Sequence, residues 1–105
     1  MQVGFESPSV GDLCNSGRKL VQTLGNDAAS KVKALLFVLD AAPTLADISK
    51  SPPILRDQIP ARQTPQFTVG RAGSGQVLFQ PDGFVEGQNL SDIDSVNVIS
   101  VGGTV

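Results

Sequence analysis

The chain has 105 residues, of which 40% are hydrophobic and 17% charged, and its formal net charge is −2. This length predicts a single domain over residues 1–105 with one modest core, and the composition excludes a largely disordered chain. Its apolar runs are too short to cross a bilayer, and Met1 opens no secretory signal. The one cysteine fits a reducing compartment. We therefore expect a cytoplasmic protein without membrane contact.

Charge is distributed unevenly along the chain. Between Lys50 and Arg71 there are four basic residues and one acid, Asp57. From Asp82 onward there are four acids and no base. Because the net charge is negative, bulk electrostatic attraction to nucleic acid is not expected. The uneven distribution leaves two interpretations open, a local basic patch on the central strands or scattered surface charge.

The first quarter of the chain is predicted to form a strand and then a helix. Apolar residues alternate with polar residues or Gly in residues 2–6, as in a short half-buried strand. Ser7 and Pro8 are typical of a helix start, and apolar residues then recur at three- and four-residue steps. We expect one continuous helix that ends at Gly25, because Gly adopts the left-handed C-terminal conformation without strain.

A second helix is expected after a one-residue turn. Asn26 and Asp27 can cap it, and Pro43 prevents its continuation. Its apolar stripe is wide and includes Phe37, as expected for a helix that lies across a sheet and touches its neighbour. Thr44, followed three residues later by an acid, predicts a cap for one further turn. The two helices would form a helical hairpin.

The second half of the chain has the pattern of short strands. We predict strands at residues 54–59, 66–69, 76–80 and 93–101, with a Gly-rich hairpin turn between the second and third. The apolar run 77–79 predicts a central strand covered on both faces, and the change of period near Val98 predicts a β-bulge. This order of elements predicts an α+β domain: a short N-terminal strand, a helical hairpin, then three to four mostly antiparallel strands in one twisted sheet with the helices on one face.

Few residue types in the chain could carry chemistry. There is no His, Tyr or Trp, so acid–base catalysis would fall to Asp, Glu or Lys. Residues 70–76 superficially resemble a phosphate loop but lack the Lys and the helix that should follow, which favours a hairpin turn. Cys14 lies on an apolar stripe without a His to activate it and is interpreted as a core residue. No metal site and no cofactor are predicted.

Basic and polar residues around the central strands are the best candidates for a functional site. A guanidinium near a strand end can hold a phosphate through a bidentate contact. The candidates for catalysis are Arg56, Arg62 and Arg71. The candidates for binding RNA or a partner protein are Lys50, Arg56, Arg62, Gln63, Gln66, Arg71 and Gln76.

Five phrases carry a resemblance to a known family through their order and spacing. They are LCNS (13–16), LDAAPTLADI (39–48), QFTV (66–69), LFQP (78–81) and LSDIDSVNVISV (90–101). With them the chain resembles the RelE/HigB-like toxins of bacterial toxin–antitoxin systems, in particular the plasmid-maintenance killer or killer-suppression branch. The resemblance covers nearly the whole chain, although no single phrase is highly specific. The fold that it implies, a small twisted sheet with two helices on one face, agrees with the prediction from the residues.

The resemblance implies a metal-independent endoribonuclease that cleaves messenger RNA, often on the ribosome, and that an antitoxin silences by covering the same surface. The residues that carry this chemistry in the family are mostly replaced here. The family's Lys corresponds to Pro60, the positive residues after it to Gln63 and Thr64, its Tyr-Arg to Gly75 and Gln76, and its terminal Asp-Tyr-His to residues 103–105. Losing one group that stabilises a transition state commonly costs on the order of a hundred-fold in rate, so we expect weak or no ribonuclease activity.

Three functional hypotheses follow from the sequence. The leading one is a domain from a toxin–antitoxin or mobile-element setting that binds an antitoxin-like protein, messenger RNA or the ribosome. The second is an active mRNA interferase with a site rebuilt from Arg56, Arg62 and Arg71 and a carboxylate such as Asp57. The third is an orphan binding module of drifted function, which a large apolar groove would favour. The oligomeric state, monomer or homodimer, stays open at this point.

Overall fold

The computed structural model describes residues 1–59, 64–71 and 73–102, and in these residues the chain forms a sheet of five strands with three helices on one side. The strands lie in the order β1-β5-β4-β3-β2, with β1 parallel to β5 and the other neighbours antiparallel. The predicted α+β architecture is confirmed. The strands are β1 (Gln2–Phe5), β2 (Asp57–Ile59), β3 (Gln66–Val69), β4 (Val77–Pro81) and β5 (Ser95–Val101).

The predicted first helix is in fact two helices, α1 (Pro8–Cys14) and α2 (Gly17–Leu24). Ser16 lies between them with an extended backbone (φ −122°, ψ 108°), and its Oγ accepts a hydrogen bond from the Lys19 N–H at 3.2 Å. Serine favours such a cap over a position inside a helix because its hydroxyl competes for backbone groups. The prediction of one continuous helix was therefore wrong, although the start at Ser7 is confirmed by the bond from Val10 N–H to the Ser7 Oγ.

Helix α3 (Asn26–Ala41) follows α2 after Gly25, which is the predicted one-residue turn. The predicted cap after α3 is also confirmed, because the Asp47 carboxylate accepts from both the N–H and the hydroxyl of Thr44, at 3.1 and 2.8 Å. In the described part of the chain, none of the helices has the length and apolar character needed to cross a membrane.

The core lies between the sheet and α2 and α3. Phe67 and Phe79 are cross-strand neighbours whose ring centroids are 5.9 Å apart. Phe37 does not join this core, since 72% of its surface is exposed, so the prediction that it widens the buried stripe was wrong. It points away because two residues on a helix correspond to about 200° of rotation, and the residues two before and two after it are buried. The buried residues shared by the sheet and the two helices are Leu20, Val32, Leu35, Leu39, Phe67, Val69, Val77, Phe79, Val96, Val98 and Val101.

Strand β4 is central, as predicted, but it is packed tightly on one face. Phe79 is fully buried against the helices, whereas Leu78, which points to the other face, is half-buried. The predicted bulge is confirmed on its neighbour β5. Phe79 pairs with Val98 and Leu78 with Ser100, so Ile99 is the extra residue. This bulge keeps Val101 on the core face.

Two predicted strands are shorter than expected. The strand predicted at residues 54–59 is limited to β2, because residues 51–54 form a turn in which Ser51 O accepts from the N–H groups of Ile54 and Leu55. The strand predicted at residues 93–101 begins at Ser95, after a short 3-10 turn at Leu90–Asp92. The strand predicted at residues 76–80 is displaced by one residue.

The unequal packing of the two faces of β4 can be measured. Phe79→Ala removes a fully buried ring and should lower the free energy of unfolding by about 3–5 kcal/mol. Leu78→Ala on the same strand should cost only roughly 1 kcal/mol, because its side chain is half-exposed already. Urea denaturation of both variants tests this, and equal losses would contradict a sheet covered on one face.

Candidate functional site

A cleft opens where the segment before β2 meets the ends of β3 and β4. Its main part has a volume of about 410 Å³, and a smaller part of about 170 Å³ shares Lys50, Arg56 and Asp57 with it. We call the two parts together the Arg56 cleft. The main part is lined by Lys50, Leu55, Arg56, Asp57, Thr68, Gly70 and Gln76, and the smaller part adds Gln58, Phe67 and Leu90.

The wall of the cleft is formed by a chain segment that is held at both ends. On one side, the Arg56 N–H donates to Ser49 O at 2.9 Å. On the other side, the Gly70 N–H donates to Ile54 O at 2.6 Å, which ties the segment to the end of β3. Between these bonds Leu55 adopts a left-handed backbone with φ of 54°. For a residue with a Cβ this conformation costs roughly 1–2 kcal/mol and persists only where the surroundings impose it.

Arg56 is partly a structural residue. It is half-buried, and its Nη1 donates to the carbonyl oxygen of Leu45 at 2.7 Å. Leu45 is fully buried, and its N–H donates in turn to Ile93 O at 2.8 Å. A guanidinium has five N–H donors, so this one contact leaves donors that can bind a ligand in the cleft.

The other polar residues of the cleft can form hydrogen bonds with a ligand. Lys50 is exposed and lines both parts. Thr68, with 7% of its surface exposed, is the cross-strand partner of Asp57. The Asp57 carboxylate is exposed and accepts from the N–H of the next residue at 2.9 Å. Gln76 is half-buried, and its carbonyl accepts from the Gly102 N–H at 2.7 Å, which fixes its position beside β5.

The structure brings some of the predicted site residues together and separates others. Lys50, Arg56 and Gln76 line the same cleft. Arg71 lines a different groove, beside α3. Gln66 lies on β3 opposite Ile59 and is not among the residues that line the Arg56 cleft.

The remaining two candidates, Arg62 and Gln63, lie outside the described residues. Sequence reasoning also missed Leu55 and Thr68 as parts of the cleft. Thr68 could have been found, since its alternation with Phe67 and Val69 predicts that it faces away from the core. Leu55 carries no such signal, because nothing in its residue type predicts a left-handed backbone.

The surroundings of Cys14 do not favour its reaction as a nucleophile. Its side chain is half-buried and packs against the core, and this burial raises the pKa of the Cys14 thiol. Since the thiolate is the nucleophile, a raised pKa leaves less of it at neutral pH. Within the residues that the structure describes, no three Cys, Asp or Glu side chains form a group that could hold a metal ion.

No protein-family model, curated protein or solved structure matches the chain.

The strain at Leu55 can be isolated with a pair of variants. Leu55→Gly and Leu55→Ala both remove the side chain, but only glycine adopts a left-handed backbone freely. We expect the glycine variant to be the more stable of the two by about 1 kcal/mol, which reverses the usual preference for alanine. Urea denaturation measures the difference, and an alanine variant of equal or greater stability would show that the backbone here is not strained.

Proposed function

We propose that the chain is a RelE/HigB-like domain that binds RNA in the Arg56 cleft and has little or no ribonuclease activity. The observation that carries this proposal is the composition of the cleft. It places the cations Lys50 and Arg56 beside the polar side chains Thr68 and Gln76. This set suits the recognition of phosphate and sugar groups.

The expected binding is modest and depends on salt. Two cations in the cleft would neutralise about two phosphates. For single-stranded nucleic acid, the logarithm of the binding constant falls with the logarithm of the salt concentration, with a slope of about −0.7 for each phosphate neutralised. We therefore expect a slope of roughly −1 to −2. The negative net charge of the chain limits non-specific attraction beyond this cleft.

The same residues give a reason for weak catalysis. Attack of a ribose 2′-hydroxyl on a phosphate needs a base, an acid for the leaving oxygen and stabilisation of the developing charge. Among the described residues that line the cleft, Asp57 is the carboxylate and Lys50 the amine, and both are exposed to solvent. The cleft offers cations and hydrogen-bonding groups for binding, and the chain has no His to transfer protons near neutral pH, so we expect binding rather than cleavage.

The setting that we propose is that of a toxin–antitoxin system or a mobile element. An antitoxin-like protein would act here by covering the cleft, so that RNA and the antitoxin compete for Lys50 and Arg56. The ribosome is the natural source of the RNA in this proposal, since the family that the chain resembles often acts there.

A second candidate function, an orphan module that binds protein, is favoured by one specific observation. Beside α3 there is a groove of about 290 Å³ whose apolar lining could hold an apolar side chain of another protein. The two candidates concern different surfaces and can be tested separately.

RNA binding can be tested with a matched pair of lysine variants. Lys50→Ala removes a cation of the cleft, and Lys19→Ala removes an exposed cation from α2. Both change the net charge equally. In fluorescence anisotropy with a single-stranded RNA oligonucleotide at low salt, Lys50→Ala should weaken binding by about 3- to 10-fold and reduce the salt slope, as expected for one lost phosphate contact.

The control decides whether the cleft is the site. Lys19→Ala should bind RNA as the unchanged chain does. Equal losses in both variants would mean non-specific electrostatic attraction, and no measurable affinity of the unchanged chain would refute RNA binding by this cleft.

A further inference from the structure

A second concave surface lies on the other side of Gly70 from the Arg56 cleft. It is enclosed by α3, by the turn at Pro52 and Pro53, and by the turn between β3 and β4. We call it the α3 groove. Two exposed cations, Lys31 and Arg71, stand at this surface. Its apolar lining consists of Ala34, Leu35, Pro52, Pro53 and Ile54. A surface that combines apolar side chains with two cations suits an apolar side chain that has carboxylates near it.

The chain itself carries a segment with this chemistry. In the loop after β4, Val85 has 65% of its surface exposed, although it is a large apolar residue. It lies between two exposed acids, Asp82 and Glu86, in a part of the chain that has no basic residue. We call residues 82–87 the Val85 tip.

The Val85 tip is held in a defined shape by Gln88. The Val85 N–H donates to the Gln88 side-chain oxygen at 3.2 Å, and the Gln88 N–H donates to Val85 O at 3.0 Å. The side-chain amide of Gln88 also donates to Asp92 O at 3.3 Å. A preformed tip loses little conformational entropy when it binds, which favours association.

The tip cannot reach the groove of its own molecule. Gly75 lines the groove just before β4 begins, and Asp82 follows the last residue of β4. A strand of five residues separates its ends by roughly 17 Å, so the two surfaces lie at opposite ends of the same strand. A contact between them therefore requires two molecules.

We propose that the Val85 tip of one molecule binds in the α3 groove of a second molecule of the same chain. Val85 would cover the apolar residues of the groove while Glu86 approaches one of the cations Lys31 and Arg71. Such a contact is heterologous, since each molecule uses a different surface, and it generates head-to-tail chains or rings rather than a closed two-fold dimer. This proposal does not depend on RNA binding by the Arg56 cleft.

The contact is small, so association should be weak and sensitive to salt. Small interfaces give transient complexes, and exposed charge pairs are screened at high ionic strength. We expect the mean mass of the chain in sedimentation velocity to rise between about 10 µM and about 1 mM at low salt. At about 0.5 M salt it should fall toward that of the monomer.

Complementary variants test the head-to-tail geometry. Val85→Asp removes the apolar anchor but leaves the groove, and Lys31→Glu with Arg71→Glu reverses the charge of the groove but leaves the tip. Each variant alone should be monomeric at every concentration. Their equimolar mixture should form a heterodimer that does not grow further, because only one tip and one groove remain intact. Circular dichroism serves to check the fold of each variant, and we expect all of them to fold because the substituted residues are exposed.

The control is Phe37→Ser. Like Val85, Phe37 is an exposed apolar residue, but it lies on α3 and is not among the residues that line the groove. This variant should associate as the unchanged chain does. A chain that stays monomeric up to about 1 mM would overturn the proposal and leave the groove to a segment of a different protein. Variants that self-associate normally, a mixture that does not dimerise, or loss of association in Phe37→Ser would also overturn it.

Discussion

The hydrogen bond from Arg56 Nη1 to the carbonyl of Leu45 connects the segment before β2 to the turn that follows α3. Through the bond from Leu45 N–H to Ile93 O, it also reaches the segment that leads into β5. These bonds, together with the bond from Gly70 N–H to Ile54 O, fix the path of the segment that forms the wall of the Arg56 cleft. Arg56, which the sequence analysis named as a candidate for catalysis, therefore also has a structural role.

Gly70 lies where the two proposed binding surfaces meet, since it lines both the Arg56 cleft and the α3 groove. Its φ is 86°, and a Cβ at this position would lie 2.6 Å from Gly75 O and 2.7 Å from a methyl group of Leu35. Only glycine fits between these atoms without a shift. The close approach brings the turn between β3 and β4 onto α3. A side chain at this one position would therefore disturb both surfaces.

The sequence pattern correctly predicted those features that are determined by residues close together in the chain. The α+β order, the bulge at Ile99 and the cap at Thr44 are all of this kind, because alternation and capping patterns act over a few residues. The break at Ser16 was missed, since the apolar stripe continues across it and hides the change of helix. Phe37 was assigned to the core because hydrophobicity does not by itself tell which side of a helix a residue takes. The sequence analysis named Lys50, Arg56 and Gln76 but missed Leu55 and Thr68 in the cleft. The path of residues 51–56 depends on hydrogen bonds with Ser49 and Gly70, which no local sequence pattern predicts.

The proposal that the chain does not cleave RNA is tested most directly by tight induction of this chain alone in bacteria. Growth would be followed together with messenger RNA integrity, read by primer extension. Normal growth, intact messenger RNA and abundant protein are the results that a binding domain predicts. Growth arrest with discrete cleavage sites, both lost in an Arg62→Ala variant, would contradict the account and show that the family's ribonuclease site has been rebuilt in this chain.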